Sequence, residues 1–308
     1  MSISTVARLK SRMGIPASVT AEDAELGVLL EQVEAACESS LNRKLAQAIH
    51  TQVLDGSGTQ WLWLTHAPVT VVGCYAATTL DSAVVTVPAA DAAHLVAGMP
   101  AYGTGIPAGA TVASTSGTSV TLSAVATATS SAAWCVFGIE VREDQTGMAA
   151  GGLAEGYLGT ASILAPGADY APRLDDPLGD GRRSASGLVE RLNVFWPRMR
   201  SRQPAGVTAG NLAASSLAAG YYGPPSGRGC VKVTYCGGFA TIPAEIELAV
   251  LEAAALARTA AKEGRLLSGE SWQGYSYSTS PLAANAAWLG YFGGPGGKTL
   301  ARHRRIVI

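Results

Sequence analysis

Between Asp91 and Glu140 the chain carries no Asp, Glu, Lys or Arg. No other feature restricts its folding as strongly. Disordered linkers combine low hydrophobicity with charge, so a long uncharged stretch must bury itself or pair. Gly, Ala, Ser, Thr and Val dominate it, and "TVASTSGTSVTLS" sets two alternating runs about a turn at Ser116–Ser119. β-Branched residues at period two suit a pleated surface. Residues 81–133 therefore read as a small all-β module inserted into a chain of different character. That leaves 1–80 and 134–292 as the main body and 293–308 as a terminal arm.

The body opens with a helical pattern. Ser4 to Arg12 spells a short helix stopped by Gly14 and Pro16. A second, longer helix is better marked. Thr20 reads as its N-cap, with Asp23 in a capping-box-like position. Glu22, Asp23 and Glu25 place negative charge at the positive end of the helix dipole. Leu26, Leu29, Leu30, Val33, Cys37 and Leu41 recur at helical spacing as one apolar stripe, and the opposite face is acidic.

From Ala46 the period changes to that of strands. "AIHTQVL" and "QWLWL" flank "DGSGT", which predicts a β-hairpin. Leu62 and Leu64 point to one face, Trp61 and Trp63 to the other. "PVTVVGCYA", "WCVFGIEVRED", "TASILAPG" and "SGLVERLNVFW" read as further strands. The stretch from Ala205 to Gly229 is rich in Gly, Ala, Ser and Pro and reads as a loop.

"KVTYCGGFATIPAEIELAVLEAAA" (Lys232 to Ala255) then turns a strand into a helix. Gly237 and Gly238 can take positive φ and swing the chain. Pro243 suits the first helical position, where its missing N–H costs nothing. The helix runs to about Glu263. Ala249, Ala253, Ala257 and Ala260 give it small-residue faces, against which a neighbouring helix, from the same chain or from another subunit, can pack closely. The fold class is thus α+β: a small helical bundle of the N-terminal pair and this Ala-rich helix, with β-hairpins and an inserted β module.

Chemistry is sparse. "GGPGGKT" (Gly293 to Thr299) resembles a phosphate-binding loop, but Phe292 stands where the motif needs glycine. The four histidines are scattered, without metal-ligand spacing. Asp175, Asp176 and Asp180 lack the alternation of a calcium loop. Five cysteines form no C-x-x-C pair, which suits a reducing compartment. No catalytic, cofactor-binding or metal-binding residues emerge, and the expectation is a protein that is not an enzyme. No apolar run approaches the ~20 residues of a membrane span. The formal net charge of −1 provides no global field for nucleic acid.

Local charge is more suggestive. Arg182, Arg183, Arg191, Arg198, Arg200 and Arg202 fall close together, as do Arg302, Arg304 and Arg305. One reading is a solvated face or intersubunit ion pairs. The other is contact of Arg198, Arg200 and Arg202 with an acidic partner or with DNA phosphates, independent of base sequence. The chain ends Ile306–Val307–Ile308, an apolar tripeptide suited to docking on a partner, for example as an added strand.

"VTYCGGFATIPAEIELAVLEAAA" resembles the V-x-Y-x-x-G-[FY]-x-x-[IL]-P-x-x-[IL] pattern of head-to-tail adaptor (connector) proteins of long-tailed bacteriophages. The opening helix pair, "LDGSGTQWLWLTHAPVTVV", "SGLVERLNVFWP" and "GESWQGYSYS" are similar to segments of that family, in the same order. Together these cover about half of the chain. The uncharged insertion resembles a small β module of phage virion proteins. The shorter adaptors lack it.

The resemblance implies a non-enzymatic virion protein at the neck, made in the host cytoplasm. It implies a homo-oligomeric ring, usually twelvefold, beneath the portal protein. Such a ring extends the channel for double-stranded DNA and receives a stopper or tail-completion protein. Leu300, Arg302, Arg304, Arg305, Ile306, Val307 and Ile308 would form the portal-docking arm, and the helix with Ala249, Ala253, Ala257 and Ala260 would pack within the subunit and toward the ring interface. The alternative is a virion tail or decoration protein whose β module binds host glycan, with Trp61 and Trp63 as a sugar platform.

Overall fold

A computed structural model describes residues 2–143, 162–176, 181–196, 231–264, 270–272, 275–277 and 300. The chain divides into two compact units, one of Met1–Gln47 with Phe239–Ile308 and one of Ala48–Gly238. The described helices are α1 (Val6–Arg12), α2 (Asp23–Leu41), α3 (Ala89–Ala92) and α4 (Ala244–Gly264). The class is mixed α+β with antiparallel sheets. Among the described residues no helix is long and apolar enough to cross a membrane.

In the first unit, α1 starts after Thr5, whose hydroxyl accepts a hydrogen bond from the Arg8 backbone N–H. α2 starts later than its sequence suggests. Glu22 holds the cap position, its side chain making no capping bond, and Thr20 contributes only its carbonyl, to Asp23 N–H. The Asp23 carboxylate is engaged elsewhere, by the Lys10 ammonium at 2.8 Å. That ammonium is buried and also donates to the carbonyls of Ala17 and Val19, so its charge has three acceptors. Leu26, Leu30, Val33, Cys37 and Leu41 are buried as their spacing predicts, and Leu29 is partly so. Asn42 ends the helix in the left-handed conformation.

The α2 stripe, Leu9 of α1 and Ile246, Ala249, Val250, Ala253 and Ala254 of α4 share one core, which Leu300 joins. Each fully buried Leu or Ile contributes roughly 1.5–3 kcal/mol. Pro243 stands just before α4. Its carbonyl accepts from Ile246 and Glu247, one position earlier than expected. A two-stranded ribbon, Glu270–Trp272 with Tyr275–Tyr277, also belongs to this unit.

The described residues of the second unit form three sheets. In chain order its strands are β1 (Ala48–Leu54), β2 (Trp61–Trp63), β3 (Val69–Thr70), β4 (Val72–Thr78), β5 (Val84–Thr86), β6 (Ala101–Gly103), β7 (Val112–Ser116) and β8 (Ser119–Leu122). They continue with β9 (Ser130–Phe137), β10 (Ile139–Glu143), β11 (Ser162–Ile163), β12 (Tyr170–Pro172), β13 (Arg183–Ser184), β14 (Leu188–Arg191) and β15 (Val231–Gly237). β15 is the centre of the first sheet: β1 pairs along its whole length, while β10 and β3 pair with successive parts of it. β12, β14 and β2 form the second sheet, and β6-β9-β4-β5-β8-β7 the third.

The hairpin expected across "DGSGT" does not form. β1 pairs with β15, Ala48 opposite Gly237, and β2 pairs with β14, Leu62 opposite Val189. The loop closes on itself instead, since Ser57 Oγ donates to the Trp61 carbonyl at 2.7 Å and Thr59 Oγ1 accepts from Trp61 N–H. The chain thereby leaves one sheet and enters another. The turn expected at Ser116–Ser119 does form, with those two residues opposite each other in β7 and β8.

The uncharged segment folds into the third sheet, which also takes in β4 and the second half of β9 from beyond 81–133. Both strands continue into the first sheet, β4 back through Val71 to β3 and β9 on through Gly138 to β10. Gly138 makes the switch possible. Its φ is +98°, and a Cβ there would lie 2.3 Å from the Thr70 carbonyl oxygen. At the end of β15, Gly238 takes positive φ as expected. Gly237 stays in the strand and serves close approach, since a Cβ on it would lie 2.2 Å from the His66 carbonyl oxygen.

Candidate interaction surfaces

Reactive groups in the described part are put away rather than presented. Cys37, Cys74, Cys135 and Cys236 are free thiols in the core. Burial pushes Cys37 and Cys74 up to about 12 and Cys135 to about 11, with nearby Glu38 and Asp91 adding to the first two. Such thiols are not nucleophiles at neutral pH. Among the described residues no cluster of His, Cys, Asp or Glu could hold a metal ion. Two histidines that look scattered in sequence do meet: the rings of His50 and His66 lie 4.1 Å apart. Beside them the Tyr235 hydroxyl donates to Gln52 Oε1 and accepts from His66 N–H.

The helical unit turns its small residues inward. Ala249, Ala253 and Ala257 are buried by the chain's own residues, and the Ala260 side chain lies outside the described set. The helix exposes Leu248 and Leu256 instead. Ion pairs Arg8–Glu247, Arg12–Glu252 and Arg258–Glu22 join α1 and the start of α2 to α4. The exposed ones contribute about 0–1 kcal/mol each and act mainly to set register. A cleft of about 510 Å³ opens beside them, lined by Arg12, Met13, Glu252, Ala255, Leu256, Arg258 and Thr259.

Of the expected docking arm only Leu300 is described, and it is buried in the helical core. Arg302, Arg304, Arg305, Ile306, Val307 and Ile308 lie outside the described residues, as do Arg198, Arg200 and Arg202. Two other arginines of the first cluster serve internal ion pairs. Arg182 meets Asp91 at 2.7 Å, and Arg191 meets Glu143 at 2.8 Å. In the acidic loop, burial works to raise the Asp175 carboxyl, but hydrogen bonds from Ser186 outweigh it and hold it below the ordinary range.

The β unit presents aromatics. Trp61 and Trp63 stand out on one face of β2, 39% and 51% exposed, while Leu62 and Leu64 are buried on the other. Phe195 is also exposed, next to buried Trp196, whose backbone N–H donates to the Thr59 carbonyl and whose indole N–H donates to the Gln60 carbonyl. A second group lies on the outer face of the third sheet: Tyr75 of β4, Trp134 of β9 and Tyr102 of β6. Sequence reasoning missed it. The signal was available in the alternation Cys74–Tyr75 and Trp134–Cys135, thiols inward and rings outward.

No family model matches the chain, and no curated protein matches it. Among solved structures it is similar to the neck of an empty GTA particle computed with C6 symmetry, with 15% identity and a TM-score of 0.38 over 99% of this chain and 91% of that one. Likeness at this level is too low to transfer function.

Proposed function

We propose that this chain is a structural virion protein, a head-to-tail adaptor that assembles as a twelvefold ring at the neck. The ring binds the portal protein, extends the DNA channel and offers a seat to stopper or tail-completion proteins. The observation that carries this reading is the order of motifs along the chain: helix pair, "DGSGTQWLWL", "SGLVERLNVFWP", then strand, glycine pair, Ile-Pro and Ala-rich helix. The four described thiols are buried, in keeping with a protein that works by shape.

A ring needs two different complementary patches on every copy. The Ala249, Ala253 and Ala257 face is used within the chain, so the outer α4 face with Leu248 and Leu256 is the patch left for a neighbouring copy. Leu300 anchors the arm in the helical core, and Arg302 to Ile308 dock on the portal. Arg198, Arg200 and Arg202 meet passing DNA or an acidic partner through salt-sensitive contacts.

Electron microscopy of the recombinant chain mixed with portal tests the proposal. A ring seated on the portal's exit face is expected, and its loss on deleting residues 301–308 with the fold intact. A chain that stays monomeric and apart from portal would overturn it. A second reading, a tail or decoration protein that binds glycan, is favoured by the exposed Trp61 and Trp63. It requires protein along the tail or capsid rather than at the neck.

A further inference from the structure

Tyr75 and Trp134 are directly opposite each other on β4 and β9, and their rings meet edge to face with centroids 5.2 Å apart. In the next row Gly73, Val136 and Tyr102 lie side by side across β4, β9 and β6. The indole of Trp134 leans over Gly73: a Cβ there would come within 2.9 Å of its Cζ2 atom. The ring is thus held flush by a missing side chain beneath and a tyrosine beside. Ala77 and Ala132 continue this outer face with short side chains, so the aromatics stand proud.

The three rings remain accessible, Tyr75 at 64%, Trp134 at 48% and Tyr102 at 36%. Among the described residues, Trp134 Nε1 and the two tyrosine hydroxyls make no hydrogen bond. Buried Trp and Tyr find partners for these groups, and free ones at a surface await a ligand or water. β4, β6 and β9 contain no charged residue. A phosphate backbone, an acidic peptide or an anionic lipid would find no counter-charge on these three strands. A neutral pyranose matches instead: its C–H face stacks on a fixed indole, and its hydroxyls reach the free donors at the rim.

We propose that this face is a binding platform for neutral polysaccharide, with Trp134 as the stacking residue, Tyr75 as its side wall and Gly73 as a positioning residue. The site is separate from Trp61 and Trp63 and does not depend on ring assembly.

Affinity electrophoresis of the full chain tests it, in gels containing dextran, laminarin, amylopectin, galactomannan or hydroxyethyl cellulose, with hyaluronate as the anionic comparison. At least one neutral polymer retards the protein and hyaluronate does not. Trp134→Ala and Tyr75→Ala weaken that retardation by about tenfold or more. Trp134→Phe keeps part of it, and Gly73→Ala weakens it by lifting the ring. Thermal melts identify any variant that fails to fold, and the Gly73 and Phe variants then carry the test. The double variant Trp61→Ala/Trp63→Ala retains full binding. The proposal is overturned if no neutral polymer retards the chain, if only hyaluronate does, or if Trp134→Ala binds normally. It also fails if Trp134→Ala abolishes only self-association, which would make the face an interface between copies. Retardation by the polymers is read without portal and ring formation without polymer, so failure of one proposal is told apart from failure of the other.

Discussion

The guanidinium of Arg191 and the carboxylate of Glu143 meet at 2.8 Å with both side chains 5% exposed. Arg191 Nη1 also donates to the Asp169 carbonyl, and the guanidinium lies over the Trp196 ring. The pair links β14 of the three-stranded sheet to β10 of the sheet centred on β15. Removing one member of such a pair strips the other buried charge of its close counter-charge. Arg191→Met should therefore destabilise the β unit by about 3–5 kcal/mol. The double variant Arg191→Met/Glu143→Leu should recover most of that loss. Urea denaturation of the three proteins checks the pattern, and equal losses in single and double variants would contradict it.

Gly138 lies where the chain leaves one sheet for another. Gly138→Ala meets both an unfavourable φ and a backbone oxygen that cannot move aside. A cost of roughly 3 kcal/mol is expected. Gly117→Ala is the comparison, because its positive φ carries strain but no atom lies within 4 Å of the added methyl. Thermal melts should rank Gly138→Ala clearly below Gly117→Ala.

The small face and the outer face of α4 should respond in opposite ways. Ala253→Leu inserts bulk into the helical core and should destabilise the fold by about 1–3 kcal/mol. Leu248→Ser with Leu256→Ser should leave the melt nearly unchanged and weaken ring formation. Calorimetry with analytical ultracentrifugation separates the effects. Intact rings from the serine variant would remove the proposed subunit contact.

Thiol chemistry offers a readout of intactness. With Cys37 and Cys74 pushed up to about 12 and Cys135 to about 11, little thiolate exists at pH 8. The Cys230→Ser chain, which keeps only the described cysteines, should react with a disulfide reagent only as it unfolds. Fast labelling of the native chain would show the core to be open.

Asp175 gives a pH signature. Its folded carboxyl titrates below its unfolded value, so its contribution is complete above the unfolded pKa and disappears as pH falls through the folded one. Asp175→Asn should flatten the acid limb of a stability–pH curve and change little on the alkaline side. A steeper acid limb in the variant would reverse the sign.

Local pattern carried much of this architecture. The α2 stripe from Leu26 to Leu41, the inward Leu62 and Leu64, the Ser116–Ser119 turn and the Gly238 swing can all be read in order along the chain, because periodicity and φ preference act over a few residues. Tertiary structure decided what covers each face. It paired β1 with β15 across some 180 residues of sequence rather than with β2, gave Asp23 to Lys10 in place of a cap, brought His50 to His66 and turned the alanines of α4 inward. An apolar or small-residue face states that something must pack on it. Which partner does so is settled by competition among distant segments, and that competition leaves no mark in any one stretch of sequence.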